Sequence, residues 1–256
     1  MSGHSKWATI HRQKEVTDQK RGQIFTKVTN AIIVAVRDSG GITDPEHNFK
    51  LRLAIEKARA VNMPKENVQR AIDRAAGKGE GVVISEAVYE GYGPGGVGIL
   101  VETATDNKQR TVQEVKNVFD RSGGSSTSPG AVSFNFQKVG TIIVPFGGSK
   151  EEAILKIIDL GVDDIEEVGE NDLEVHVAPE NLELTKEKLV TAGFTPKTVE
   201  LEMKPINLVP VTDKKTAAQV LSLLDKLEAL DDVQKVYANF DIPDEFITER
   251  ESVGPV

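Results

Sequence analysis

The change of period at residues 77–81 constrains this chain more than any other feature. Before Gly77-Lys78-Gly79-Glu80-Gly81, apolar residues recur at helical spacing; after it, short β-branched runs alternate with helical stretches. Phe25, Val28, Ile32 and Val36 fall at i, i+3, i+7 and i+11, one face of a helix over residues 16–37 that Gly40-Gly41 stops. A second helix over 46–61 buries Leu51, Ile55 and Ala58, and Pro64 stands at the first position of a third that runs to Ala76. The pattern predicts a helical domain over residues 1–80.

The remainder reads as two α/β modules. Residues 141–146 form a strand, 149–160 a helix, 162–168 and 173–177 a hairpin, 179–192 a helix and 197–203 a strand, the β-α-β-β-α-β order of ferredoxin-like domains. On either side lie a hairpin over 87–92 and 97–103, a helix burying Val112, Val115 and Phe119, and a strand over 131–136; then a strand over 206–211, a helix burying Val220, Leu224 and Leu227, and a strand over 233–240. The expected fold class is therefore α+β: an N-terminal helical domain, then two ferredoxin-like α/β modules, one inserted into the other. The expected boundaries are 81–138 with 205–245 for the outer module, 139–204 for the inserted one and 246–256 for a tail. A single larger mixed sheet is the alternative.

Charge divides at the same linker. Residues 1–80 hold 15 Lys and Arg against nine Asp and Glu, a net of +6, so the rest must carry −15 for the whole to be −9. Such asymmetry points to nucleic-acid contact by the basic part, with a solvated helical surface as the plain alternative. Cysteine is absent, which excludes disulfides, thiolate zinc sites and a cysteine nucleophile and suits a reducing compartment. The longest apolar run, Ala31 to Val36, is six residues, against the roughly 20 a membrane helix needs. A cytoplasmic protein without membrane contact is expected.

Catalytic patterns fail on context. Gly91, Gly93 and Gly96 satisfy G-x-G-x-x-G, but Ile99-Leu100-Val101 continues as a strand where a dinucleotide site needs a helix, so a hairpin turn is expected. There is no H-E-x-x-H and no G-x-S-x-G, and His176 reads as a surface residue of a strand. Asp163-Asp164-Ile165-Glu166-Glu167 lacks the spacing of a calcium loop and reads as a solvated hairpin. Residues 122–130 read as a flexible loop after a helix. No enzyme activity, metal or cofactor is expected.

Basic features survive the same test. Lys6, Trp7, Arg12, Lys14, Lys20, Arg21 and Lys27 combine cations with the chain's single tryptophan, suited to phosphates and to stacking on an exposed base, with Trp7 as an anchor packing the N-terminal segment onto helices as the alternative. Lys65, Asn67, Gln69, Arg70 and Arg74 lie on the second helix of a helix-turn-helix whose turn lacks the frequent glycine. Lys108 and Arg110 fall in a first helical turn capped near Asn107, where the helix dipole disfavours cations unless an anion docks.

These stretches also carry a resemblance. GHSKWATIHRQKEVTDQKRGQIFTK at residues 3–27, NMPKENVQRAI at 62–72, YEGYGPGGVGILVETATDNKQRT at 89–111 and VYANFDIPDE at 236–245 are similar to the YebC/PmpR family, whose mitochondrial relative is a translational activator of cytochrome oxidase subunit one. The resemblance implies three domains, no known catalysis, and either DNA-binding transcriptional regulation or ribosome-associated help to translation. It carries nucleic-acid contact onto His4, Lys6, Lys20, Arg21 and Lys27, and onto Lys65, Asn107 and Arg110. Ile10-His11-Arg12-Gln13-Lys14 departs from the frequent I-K-H-R-K, so no role passes to His11 or Arg12. The reading is a regulator of gene expression bound to ribosomal or transfer RNA or the ribosome, with promoter DNA as second choice; its acidic modules orient it or bind basic ribosomal proteins. A protein scaffold that meets no nucleic acid is the alternative of another class.

Overall fold

Each described helix of the first domain ends on a residue in the left-handed region, Gly40, Asn62 or Gly77. The structure, a computed structural model, describes residues 21–77, 83–169, 171–243 and 245–247. Helix α1 (Arg21–Asp38) buries Val28, Ile32 and Val36 as its period predicts, and stops where Gly40 and Gly41 take positive φ and return their amides to the carbonyls of Arg37 and Val36. Helix α2 (Phe49–Ala60) starts later than its pattern suggests because buried Asn48 caps it: Oδ1 accepts from the Leu51 amide at 3.0 Å, while Nδ2 donates to the Ala35 carbonyl at 2.9 Å. One side chain thus caps one helix and fastens it to another. Helix α3 (Lys65–Ala75) follows a turn in which Asn62, at φ +55°, does the work of the missing glycine. The amides of Asn62 and Met63 reach back to the carbonyls of Arg59 and Ala58 at 3.0 and 2.9 Å, a Schellman ending with Met63 buried beneath it.

The rest is two antiparallel sheets, each backed by two helices, one module inserted into the other. The outer sheet has the order β3-β1-β2-β9, from β1 (Ser85–Tyr92), β2 (Gly98–Thr105), β3 (Ser125–Thr127) and β9 (Val233–Ala238). The Gly-rich stretch is the β1–β2 hairpin, with Gly95 and Gly96 at positive φ. Gly91 also has a packing role, since a Cβ there would lie 2.6 Å from the Phe119 ring. Helices α4 (Lys108–Arg121) and α7 (Lys214–Glu228) cover one face through Val115, Phe119, Val220 and Leu224.

The inserted sheet has the order β5-β6-β4-β7, from β4 (Phe136–Pro145), β5 (Asp164–Val168), β6 (Asp172–Val177) and β7 (Thr198–Pro205), all neighbours antiparallel. This is the ferredoxin-like succession, with α5 (Lys150–Ile158) and α6 (Leu182–Thr191) packed on Ile142, Val144, Leu173 and Val175.

Two expected strands change, and Val112, expected in the core, is 38% exposed. Residues 131–136 do not form a strand; Ser133–Asn135 is a short 3₁₀ turn, β4 already begins at Phe136, and the outer sheet instead takes β3 from the segment expected to be flexible. The cause is Glu90, whose buried carboxylate accepts the amides of Gly130, Val132 and Ser133 at 2.7, 2.6 and 3.0 Å and so removes donors that a strand would need. Residues 206–211 likewise yield only β8 (Val209–Pro210), paired in parallel with β10 (Phe240–Asp241) outside both main sheets.

The helical domain touches both modules. Lys27 Nζ and Asn30 Nδ2 on α1 donate to the carbonyls of Glu228 and Ala104 at 2.6 and 3.2 Å. Phe49 and Leu53 on α2 pack against the inserted core, beside the ion pairs Arg52–Glu183 at 3.4 Å and Lys186–Glu56 at 2.7 Å.

Candidate nucleic-acid interface

The helical hairpin α2–α3 concentrates cations because its two helices bury one face each and leave the other to water. Residues 49–75 carry seven Lys and Arg against three acids. Ala71 and Ile72 face the core, so Lys65, Arg70 and Arg74 are exposed, and helical spacing puts Arg70, Arg74 and Asn67 along one stripe. Arg70 is partly ordered within its own helix: Nε donates to the Glu66 carbonyl at 3.3 Å and the guanidinium also bonds Asn67 Oδ1. Lys57 and Arg59, exposed in the last turn of α2, stand at the mouth of the same turn. Motif reading passes over them, yet their position before an αL ending, where cations complement the helix dipole, was visible as a signal.

The N-terminus of α4 is a different arrangement. Asn107 caps it, Oδ1 accepting from the Arg110 amide at 3.1 Å, and Lys108 is exposed beside the cap. Arg110 is exposed but paired: its guanidinium donates to Asp106 at 3.0 Å and to Asp232 at 2.6 Å. Asp232, buried at the start of β9, also accepts from the hydroxyls of Thr111 and Thr105 at 2.7 and 3.0 Å. Burial raises the Asp232 pKa, but Arg110 and the two hydroxyls outweigh it and the net shift is downward; Asp232 in turn holds the Arg110 pKa up.

The remaining sequence candidates separate cleanly. His4, Lys6, Trp7, Lys14 and Lys20 lie outside the described residues, and Arg21 is the first residue of α1, its side chain outside them too. Lys27 is half-buried and its ammonium sits on the Glu228 carbonyl at the C-terminal end of α7, where it ties α1 to the outer module. Thus the structure brings Lys65, Arg70 and Arg74 together on one helix, and places Asn107, Lys108 and Arg110 at another. His176 corrects its expectation. It belongs to β6, inside the sheet, and is 6% exposed, with Nδ1 3.4 Å from Thr141 Oγ1 and Nε2 3.8 Å from Glu166.

Comparison with known proteins decides the family. Residues 5–78 match the model of the TACO1/YebC protein N-terminal domain, and residues 84–240 that of the TACO1/YebC second and third domain. The chain belongs to the TACO1/YebC family. Among relatives, a probable transcriptional regulatory protein of Chloroflexus aggregans is 48% identical over 98% of this chain and 100% of its own length. One of the same description from Moorella thermoacetica is 47% identical over 95% and 96%. The crystal structure of a conserved hypothetical protein from Aquifex aeolicus superposes with a TM-score of 0.80 at 44% identity, covering 88% of this chain and 92% of that one. The two matches meet between residues 78 and 84. No described helix is long and apolar enough to cross a membrane.

Proposed function

We propose that this TACO1/YebC-family protein is a non-catalytic, nucleic-acid-binding regulator of gene expression, acting on translation through RNA or the ribosome. The observation that carries the reading is the exposed cations of α3, Arg70 and Arg74 on one stripe and Lys65 at the helix start, on a domain of net positive charge in a chain that is otherwise acidic. The N-terminal cations Lys6, Lys14, Lys20 and Arg21 add charge of the same sign to the contact, with Trp7 as a stacking group, and Lys108 adds a separate contact beside the Asn107 cap. Asn67 and Arg70, the two residues of α3 best suited to base edges, are bonded to each other. That arrangement favours contact with phosphates and shape over reading of duplex sequence.

The second reading is DNA-binding transcriptional regulation, which the names of the relatives in Chloroflexus and Moorella favour. Ribosome cosedimentation run beside gel shifts on promoter and scrambled DNA separates the two. Translation predicts cosedimentation that high salt reverses and no preference between the DNAs; sequence-dependent DNA binding without ribosome association reverses the order. A protein whose capture of partners is indifferent to nuclease and to salt belongs to neither.

A further inference from the structure

The inserted module carries a cleft whose lining includes no residue of the basic helices. It has a volume of about 480 Å³, within the range of sites that enclose small ligands or a few side chains. Val139, Val177, Ala178, Pro179, Pro205 and Ile206 supply apolar walls, and Asp163, Asp164 and Glu180 supply carboxylates, all three exposed. The single lysine among the lining residues, Lys204, is already divided between Asp164 at 2.8 Å and Glu166 at 2.7 Å.

That lysine is informative. Lys204 lies on β7 and its acids on β5, the opposite edge strand of a four-stranded sheet, so the side chain crosses the open face above β4 and β6. An ammonium and its alkyl stem laid along an apolar surface toward carboxylates is the posture a basic side chain from another molecule would adopt beside it, with Asp163 and Glu180 as its acceptors. Apolar surface continues outward. Ile206 is 58% exposed, Leu208 40% and Phe134 67%, and the Ile206 amide donates to the Asn135 carbonyl at 2.7 Å, which joins the turn bearing Phe134 to the cleft. Exposed apolar side chains next to exposed carboxylates describe a surface for an amphipathic cation, and repel a polyanion.

We propose that this cleft docks an extended basic segment of a partner protein, a Lys or Arg taken by Asp163 and Glu180 and an adjacent apolar side chain seated against Ile206 and Pro205. The two faces of the molecule then take partners of opposite charge.

The test uses the full chain, freed of nucleic acid, and a fluorescein-labelled peptide of Arg-Val-Lys-Leu repeats, read by anisotropy at physiological salt. Asp163→Lys with Glu180→Lys lowers affinity about tenfold or more, and Ile206→Ser lowers it about threefold through lost apolar contact. Glu151→Lys with Glu152→Lys on the distant helix α5 makes the same change in net charge and leaves affinity unchanged. All these side chains except Ile206 are exposed acids, and circular dichroism confirms that each variant is folded. Equal losses from the α5 pair, equal binding of a peptide with Glu in place of Arg and Lys, or no binding by the native chain overturns the proposal. Because no nucleic acid is present, failure here is separable from failure of the RNA reading.

Discussion

Helices α3 and α4 both begin in stretches that resemble the same family and both carry cations, yet the fold uses those cations in opposite ways. On α3, Lys65, Arg70 and Arg74 point to water, and among the described residues no carboxylate of another element pairs with them. On α4, Arg110 is closed onto Asp232, a residue 122 positions away in the chain. A cation in the first turn of a helix implies an anion, and here the anion is internal. Resemblance alone treats Arg110 and Lys65 alike; only the partner distinguishes a residue that holds the fold from one that is free to hold something else.

The largest effect expected from this contrast is on stability. Asp232→Ala leaves Arg110 without its partner and the hydroxyls of Thr105 and Thr111 without their shared acceptor, and should cost roughly 2–3 kcal/mol in urea unfolding. Removing Lys65, Arg70 and Arg74 together should cost less than about 0.5 kcal/mol, as surface substitutions do. If Asp232→Ala is as harmless as the triple change, Arg110 is available to an external anion and the distinction between the helices collapses.

Acid should find the same anchors. Burial raises the pKa of both Glu90 and Asp232, but the three amides and Ser133 for Glu90, and Arg110 with the Thr111 and Thr105 hydroxyls for Asp232, leave both net lowered. Between the folded and unfolded values the unfolded chain therefore binds more protons, so stability rises with pH across that window. The contribution is fully present above the unfolded carboxylate value near 4 and is lost as pH falls through the lower folded values. Glu90→Gln and Asp232→Asn should each flatten the fall in urea midpoint between about pH 5 and pH 2. Binding by α3 should show no matching step there while the protein remains folded.

A third measurement reverses the ranking of the helices. If Lys65, Arg70 and Arg74 each meet a phosphate, their joint replacement by alanine should reduce the slope of log K against log salt by about 2–3, at roughly 0.7–0.9 per contact. Arg110→Ala should leave that slope unchanged while lowering the unfolding midpoint. A slope that responds to Arg110 and not to the α3 triple would exchange the roles assigned to the two helices.

How much of this was legible follows from what a one-dimensional pattern contains. The period change at residues 77–81 separates helices from sheets because apolar spacing is local, and the β-α-β-β-α-β succession of the inserted module is local in the same sense. The strand expected at 131–136 failed because β-branched content says nothing of a carboxylate some forty residues earlier that claims the amides of Gly130, Val132 and Ser133. His176 was placed on the right strand and the wrong side of the surface, since the lysine that crosses above its sheet comes from β7. For the candidate interface, the exposed face of α3 could be read from period, whereas the engagement of Lys27 with Glu228 and of Arg110 with Asp232 needed the third dimension.

The smallest effect concerns the turn that aims α3. Asn62 sits at φ +55°, in the left-handed region where a residue with a Cβ is strained and where asparagine is the usual alternative to glycine. Asn62→Gly keeps the conformation at no steric cost and should change stability by less than about 0.5 kcal/mol, while Asn62→Ala should lose about 1 kcal/mol. Neither substitution removes charge, so if the cations of α3 work as a fixed surface, both folded variants should bind nucleic acid with the native salt slope. Gel shifts over a salt series check this. A slope that drops in Asn62→Ala alone would mean that the angle between α2 and α3, and with it Lys57 and Arg59 at the mouth of the turn, sets how many phosphates are met, making the helical hairpin rather than α3 by itself the unit of recognition.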